Sequence, residues 1–185
     1  MLYQIFSFLL EVAAGLLGSA CLLRLYMQHQ RIPFGNPIGN LVFALSDWLV
    51  LPLRRLVPPA GRWDLASLAG AVLLKLAQYL LLWLMTGGAL VVVPIMAVFG
   101  VIGLVVYGLT GLLIVYAVLS WVQAHSPLHD VIARLVEPPL RPLRRIVPMV
   151  GGMDLTPLIL LVLLQVASIV LQHALRSVLS GLVLG

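Results

Sequence analysis

Two pairs of adjacent arginines are the residues best suited to bind a charged group. Arg54-Arg55 and Arg144-Arg145 occur in the segments PLRRLVPPAGRWD and PLRRIVPMVGGMD, whose positions differ by 90 residues. Guanidinium groups match the geometry of phosphate and carboxylate oxygens. The pairs therefore indicate a site for lipid phosphates or an acidic partner. The alternative is that they only fix the orientation of the chain in a membrane.

An aspartate follows each arginine pair, and its role has two interpretations. Asp64 and Asp154 could pair with the arginines and hold the shape of the loop, or each could cap the helix that follows. In both interpretations they organise structure and do not catalyse. The motif positions that we expect to shape the loops are Pro52, Pro58, Gly61 and Asp64, and their equivalents Pro142, Pro148, Gly151 and Asp154.

Glu11 and Lys75 are ionisable residues inside apolar runs. Such residues are costly in a bilayer and are functional candidates by default. At 1.5 Å per residue they lie about 21 Å and 16 Å from the ends of their predicted helices that meet the first connection. Two antiparallel helices would thus bring them to a similar depth, which predicts an ion pair. The pair is either functional or serves only helix association, and the second repeat has Val101 and Gln165 instead.

Other chemistry has little support in the sequence. His125 and His129 are four residues apart, but Pro127 interrupts any helix between them and no further ligand converges, so we predict no metal. There is no phosphate-binding glycine loop and no haem or nucleophile motif, so we predict no cofactor and no enzymatic activity. The net charge of +5 comes mainly from arginines near predicted membrane edges, so direct nucleic-acid binding is not expected.

The composition identifies an integral membrane protein. Hydrophobic residues make up 62% of the 185 residues, charged residues only 9%, and the mean hydropathy is +1.14. Soluble domains carry about 25% charged residues. The length allows four membrane helices of about 20 residues with their connections.

The predicted fold is an all-α polytopic membrane protein built from two tandem parallel repeats. We expect four membrane helices, at about 2–27, 64–84, 103–122 and 155–175. A short amphipathic helix precedes each Pro-Leu-Arg-Arg loop, after Asn36-Pro37 and after Ser126-Pro127. Pro52 should end the first near Leu51, and Pro138-Pro139 should end the second earlier still.

The region between the repeats is harder to interpret. We divide the chain into a first repeat (1–85), an apolar connection (86–102) and a second repeat (103–185). The connection is interpreted as an interfacial segment, a half-helix or an extension of the third membrane helix. The less favoured alternative is a true membrane span, which would put one basic connection on the wrong side of the membrane. Small residues predict close helix packing: Ala14 and Gly18 in the first helix, and a seam of Gly100, Gly103, Gly108 and Gly111 in the third.

The distribution of basic residues predicts the orientation. Nine of the eleven lysines and arginines flank or occupy the two amphipathic connections. Cytoplasmic loops carry the Lys/Arg excess. Both connections should therefore be cytoplasmic and both termini periplasmic.

The doubled motif, [N/S]-P…P-L-R-R-[L/I]-V-P-x-x-G-x-x-D-L between membrane helices, resembles the YggT family (YlmG in Gram-positive bacteria), and two copies resemble its proteobacterial members. The resemblance implies a bacterial inner-membrane protein. Family members have been associated with potassium uptake and osmotic tolerance, with cell division and nucleoid distribution, and in plastids with cytochrome maturation. It supplies no agreed catalytic residues.

Two functions remain open at this stage. The first is a non-enzymatic scaffold or assembly factor whose cytoplasmic arginine-proline loops bind anionic lipid headgroups or membrane protein partners. The second is a small transport or channel-like protein that affects potassium or osmotic balance, suggested by Glu11 and Lys75. Separately, the chain could form a homo-oligomer.

Overall fold

The computed structural model describes residues 1–58, 61, 63–121, 127–146 and 154–184. They form six helices: α1 (Leu2–His29), α2 (Pro37–Leu56), α3 (Leu65–Thr86), α4 (Val92–Trp121), α5 (Pro127–Arg144) and α6 (Thr156–Leu184). Helices α1, α3, α4 and α6 are long and apolar enough to cross a membrane, with mean hydropathies of 1.8 to 2.5. The predicted all-α class with four membrane-length helices is confirmed for the described residues.

The start of α2 follows directly from its sequence. The side chain of Asn36 accepts a hydrogen bond from the backbone N–H of Gly39 at 3.0 Å, and Pro37 occupies the first helical turn. Proline costs nothing there because its missing N–H would have had no partner in the helix.

The predicted ends of α2 and α5 were wrong. Helix α2 continues through Pro52 to Leu56, and α5 continues through three prolines to Arg144. An interior proline costs about 3 kcal/mol, but each buried aliphatic side chain returns about 1.5–3 kcal/mol. Buried residues flank these prolines, among them Val50 in α2 and Val136 and Leu140 in α5. Their packing therefore outweighs the lost hydrogen bonds.

Helices α4 and α6 are both longer than predicted. Helix α4 begins at Val92, so most of the segment 86–102 belongs to it, as in the third of the interpretations above. Helix α6 continues to Leu184 instead of ending near residue 175. Gly87 and Gly88 have φ values of +71° and +107°, a conformation that favours glycine, and they form the turn between α3 and α4. The division into 1–85, 86–102 and 103–185 stays a prediction.

The helices pack as two groups of three. Helices α1, α2 and α3 contact one another; α4 packs against both α5 and α6, and α5 against α6. The groups meet where α1 and α3 contact α4 and where α2 contacts α5. Gly18 permits the approach of α1 to α4, since a Cβ there would come within 2.7 Å of Leu104.

Only the first half of the predicted glycine seam of α4 packs closely against other helices. A Cβ on Gly100 would lie 3.0 Å from the Tyr79 ring on α3, and one on Gly103 would lie 3.9 Å from Leu171 on α6. At Gly108 and Gly111 a Cβ would have no neighbour within 4 Å. These two glycines face open space, so the second half of the seam was wrong.

Candidate functional site

The first arginine of the first pair is held by the aspartate ten residues later. Arg54 lies in the last turn of α2, and its Nη2 donates to Oδ2 of Asp64 at 2.5 Å. Asp64 also accepts hydrogen bonds from the backbone N–H and the hydroxyl of Ser67, at 3.3 Å and 2.8 Å. Asp64 thus both pairs with arginine and caps α3, so the two roles left open by the sequence occur together.

The second repeat forms the same connection. The Nε of Arg144 donates to Oδ2 of Asp154 at 2.9 Å. Asp154 in turn accepts a hydrogen bond from the backbone N–H of Thr156 at the start of α6, also at 2.9 Å. Arg144 additionally donates to Glu137 at 2.6 Å. In each repeat an arginine–aspartate pair therefore ties the end of the amphipathic helix to the start of a membrane helix.

In both ion pairs the pKa of the aspartate is lowered. Burial raises the pKa of the Asp64 carboxyl, but the hydrogen bonds from Arg54 and Ser67 outweigh burial, so that the pKa lies below its ordinary value of 3.8. Burial also raises the pKa of Asp154, but the hydrogen bonds from Thr156 and Arg144 outweigh burial, so that this pKa too lies below its ordinary value. Both aspartates are therefore ionised at neutral pH.

The second arginine of each pair is left available. Arg55 and Arg145 are exposed, and neither makes a hydrogen bond or ion pair within the part of the chain that the structure describes. Each is followed by an aliphatic residue, Leu56 or Ile146, that is 79% exposed in both repeats. The structure thus divides each arginine pair into one structural residue and one accessible residue.

The remaining motif positions shape the chain without contacting a common centre. Pro52 and Pro142 lie inside helices, and Pro58 is exposed after the end of α2. Gly61 has φ +61°, a left-handed conformation that disfavours other residues. The predicted positions Pro148 and Gly151 lie outside the described residues.

The comparisons with known proteins agree with this architecture. The sequence profile of the CCB3/YggT family matches residues 3–85 and 95–175, nearly the whole chain. The chain belongs to the CCB3/YggT family. This confirms the resemblance inferred from the doubled motif.

Bacterial proteins of this family are similar to the chain over most of its length. The uncharacterised protein YggT of Escherichia coli is 34% identical over 92% of this chain and 91% of its own length. An uncharacterised protein of the proC 3′ region of Vibrio alginolyticus is 34% identical over 88% of this chain and 90% of its own length. No solved structure matches the fold.

Sequence reasoning missed Arg24 as a structural residue of this YggT-family protein. Its side chain is only 3% exposed, and its Nη1 donates to Ser46 at 2.9 Å and to Asp47 at 2.6 Å. The guanidinium also stacks over the Phe43 ring at 4.8 Å, and its Nε lies 3.8 Å from Asp64. An arginine near the end of an apolar helix is expected at the membrane edge. Nothing in the sequence pattern indicated that Arg24 is instead buried against other helices.

Glu11 and Lys75 are brought together in the membrane-spanning part of this YggT-family protein. The Nζ of Lys75 lies 3.1 Å from Oε1 of Glu11, and Gln78 donates to Oε2 at 2.6 Å. Lys75 also donates to Gln78 at 2.9 Å. Lys75 is buried, whereas the Glu11 side chain is 60% exposed on the outer face of α1. The triad joins α1 to α3 and leaves a carboxylate facing the surroundings of the bundle.

The arrangement can bind charge but offers little for covalent chemistry. Among the described residues, no group of three or more His, Cys, Asp and Glu side chains is placed to hold a metal ion. The predicted candidate His125 lies outside those residues. The two loop ends, formed by Arg54, Arg55 and Asp64 in the first repeat and by Arg144, Arg145 and Asp154 in the second, carry cationic and hydrogen-bonding groups near the starts of α3 and α6.

Proposed function

We propose that this protein is a non-enzymatic scaffold or assembly factor of the bacterial inner membrane, whose two loop ends bind anionic lipid headgroups. One observation carries the proposal. In both repeats the first arginine is occupied by an aspartate, while the second, Arg55 or Arg145, is exposed beside an exposed aliphatic residue.

The paired exposure suits the boundary between lipid and water. An aliphatic side chain at the end of an amphipathic helix can enter the headgroup–acyl boundary, while the adjacent arginine extends its charged end towards phosphate. Each such arginine near an anionic surface contributes about 1 kcal/mol. Leu56 and Ile146 would supply the apolar contact in the two repeats.

Neighbouring charges support a headgroup surface at this level. Arg31, Arg134 and Arg141 are also exposed on the helices and connections of the same side. The positive-inside rule assigns this side to the cytoplasm. We therefore propose that the loops are cytoplasmic and that both termini are periplasmic.

Headgroup selectivity tests the proposal. The full chain is reconstituted with spin-labelled phosphatidylglycerol or phosphatidylcholine, and the motion-restricted lipid fraction is measured. We expect a preference for phosphatidylglycerol that is lost in the double variant Arg55→Gln, Arg145→Gln. Arg176→Gln, near the opposite end of α6, is the matched charge control and should keep the preference. An unchanged preference in the double variant would overturn the proposal.

The assembly role requires a separate test. Crosslinking in membranes followed by pull-down compares the wild type with the same double variant, and topology reporters verify the orientation. A protein captured by the wild type and lost in the variant supports a scaffold. Recovery of only further copies of the chain would refute the scaffold role and leave headgroup binding standing.

Transport is the second candidate, and a specific observation favours it. Glu11 is a half-exposed carboxylate that contacts Lys75 in the membrane-spanning part of α1, and intramembrane charges mark ion pathways in many transporters. Potassium flux into liposomes that contain the purified protein, compared with Glu11→Gln, distinguishes the two. Flux that the variant abolishes would favour transport over the scaffold.

A further inference from the structure

A cavity lies between the two repeats, apart from both loop ends. Its volume is about 420 Å³, and helices α1, α2, α4 and α5 form its wall. Along α1 it extends from Leu16 to Tyr26, and along α4 from Leu104 to Val115. We propose that this cavity holds one acyl chain of a membrane phospholipid.

The chemistry of the wall fits a hydrocarbon. Leucine, valine, isoleucine, alanine and glycine form nearly all of it. Three residues of the wall carry hydroxyls: Ser19 and two tyrosines. The tyrosine hydroxyls are already engaged, since Tyr26 donates to the Leu135 carbonyl at 2.9 Å and Tyr107 accepts from Ser168 at 3.3 Å. An apolar occupant would therefore lose no hydrogen bonds on entering, whereas a polar one would leave most of its groups unpaired.

The depth of the cavity fits one leaflet. Leu16 and Tyr26 are separated by about 15 Å along the helix axis, which is about half of the 30 Å hydrocarbon core. The cavity also lies in the half of the bundle that contains α2 and α5, the helices that carry the loop ends. A phospholipid can thus place one chain in the cavity while its headgroup stays at the interface.

The cavity is open to the lipid that surrounds the bundle. Leu16, Leu41 and Val105 line it and yet remain 51%, 59% and 45% exposed. A chain can therefore enter sideways from the same leaflet. This lateral access distinguishes the cavity from a sealed packing defect.

Two glycines keep the space open. Gly108 and Gly111 both line the cavity, and a Cβ at either position would meet no atom within 4 Å. The space beside Gly18, by contrast, is occupied by Leu104, because a Cβ on Gly18 would come within 2.7 Å of that side chain. A larger side chain at Gly108 or Gly111 would therefore project into the cavity and reduce its volume.

The test uses the full chain in bilayers that contain phosphatidylglycerol with a diazirine in one acyl chain. After photolysis we expect label on the α1 and α4 peptides around the cavity well above the level on α6. The double variant Gly108→Leu, Gly111→Leu fills the space and should lower that label to the α6 level. Gly181→Leu, which adds the same side chain to α6 in open space, should leave it unchanged.

Folding of the filled variant is controlled in two ways. Leucine has a higher helix propensity than glycine, and a Cβ at either position meets no atom within 4 Å, so the melting temperature should not fall. Gly108→Ala adds only a methyl group and should keep most of the label. Loss of label in the leucine variant with an unchanged melting temperature supports the proposal.

Other outcomes would overturn it. These are label that persists in the filled variant, or wild-type label no higher than on α6. Competition by free palmitate but not by unlabelled phospholipid would also refute a phospholipid occupant. The inference does not rest on the proposed function, since Arg55→Gln, Arg145→Gln should change headgroup preference and leave cavity labelling intact.

Discussion

The two loop ends have the same motif and the same ion pair but differ in their surroundings. Asp64 is fully buried and lies within reach of two arginines, Arg54 and Arg24. Asp154 is 34% exposed, and its partner Arg144 is exposed to a similar extent. The motif therefore determines which residues pair, while the neighbouring helix determines how much the pair contributes to stability.

The difference originates in α1. Arg24 projects from α1 onto the first loop end, but the equivalent position in α4 is Ile114. The second repeat instead recruits Glu137 from its own amphipathic helix. One repeat thus has a buried polar layer that joins α1, α2 and α3. The other has a more exposed network, in which Arg144 also donates to Tyr116 on α4 at 3.4 Å.

The largest expected effect is a difference in the free energy of unfolding between variants of the two aspartates. Asp64→Ala removes the buried carboxylate that pairs with Arg54, while Arg24 keeps its bond to Asp47, and breaking a buried pair costs about 3–5 kcal/mol. Asp154→Ala removes an exposed pair, worth about 0–1 kcal/mol. Both variants also lose a helix cap, so that loss cancels in the comparison. Unfolding in mixed detergent measures both free energies, and equal losses would contradict the distinction.

The membrane triad provides the next comparison. Lys75→Met leaves Glu11 without its cation in the bilayer, which should cost about 2.5–3.5 kcal/mol. Gln165→Met, at the equivalent exposed position of the second repeat, should be nearly neutral. The double variant Glu11→Gln, Lys75→Met should recover most of the loss in the same unfolding measurement. A single Lys75→Met variant as stable as the wild type would show that the pair contributes nothing.

Acid should weaken the first loop end more than the second, because Asp64 is buried whereas Asp154 is 34% exposed and its ion pair is screened by solvent. The pKa of Asp64 is lowered in the folded chain, so the stability it contributes is fully present above the unfolded pKa of 3.8 and is lost as pH falls through the folded pKa. The melting temperature of the wild type should fall across this acidic range. Asp64→Asn should flatten the dependence, whereas Asp154→Asn should retain most of it. Identical pH profiles for the two variants would contradict the prediction.

The smallest effect should be equal in the two repeats. Arg55→Gln and Arg145→Gln each remove an exposed guanidinium, which should weaken headgroup binding by about 1 kcal/mol without changing the melting temperature. Lipid selectivity measured for each single variant checks this. A loss confined to one variant would show that only one loop end meets the headgroups.

Much of the architecture was predictable because it depends on local patterns. The 90-residue repeat, the apolar runs and the cap at Asn36 predicted six helices, four of them of membrane length. The spacing of arginine and aspartate within the motif also predicted their pairing as one of two interpretations. Helix ends were less predictable, because Pro52 and Pro138 are overridden by packing between helices.

Only the tertiary structure determined which distant segments of the chain contact one another. Only the packing of α1 against α2 and α3 buries Arg24 beside Asp64, and only the contact between the two repeats creates the cavity that Gly108 lines. The sequence by itself determined a membrane protein with two equivalent loop motifs, because hydrophobicity and spacing are properties of neighbouring residues. The burial of each motif depends on residues far apart in the chain, so equal motifs acquired unequal environments.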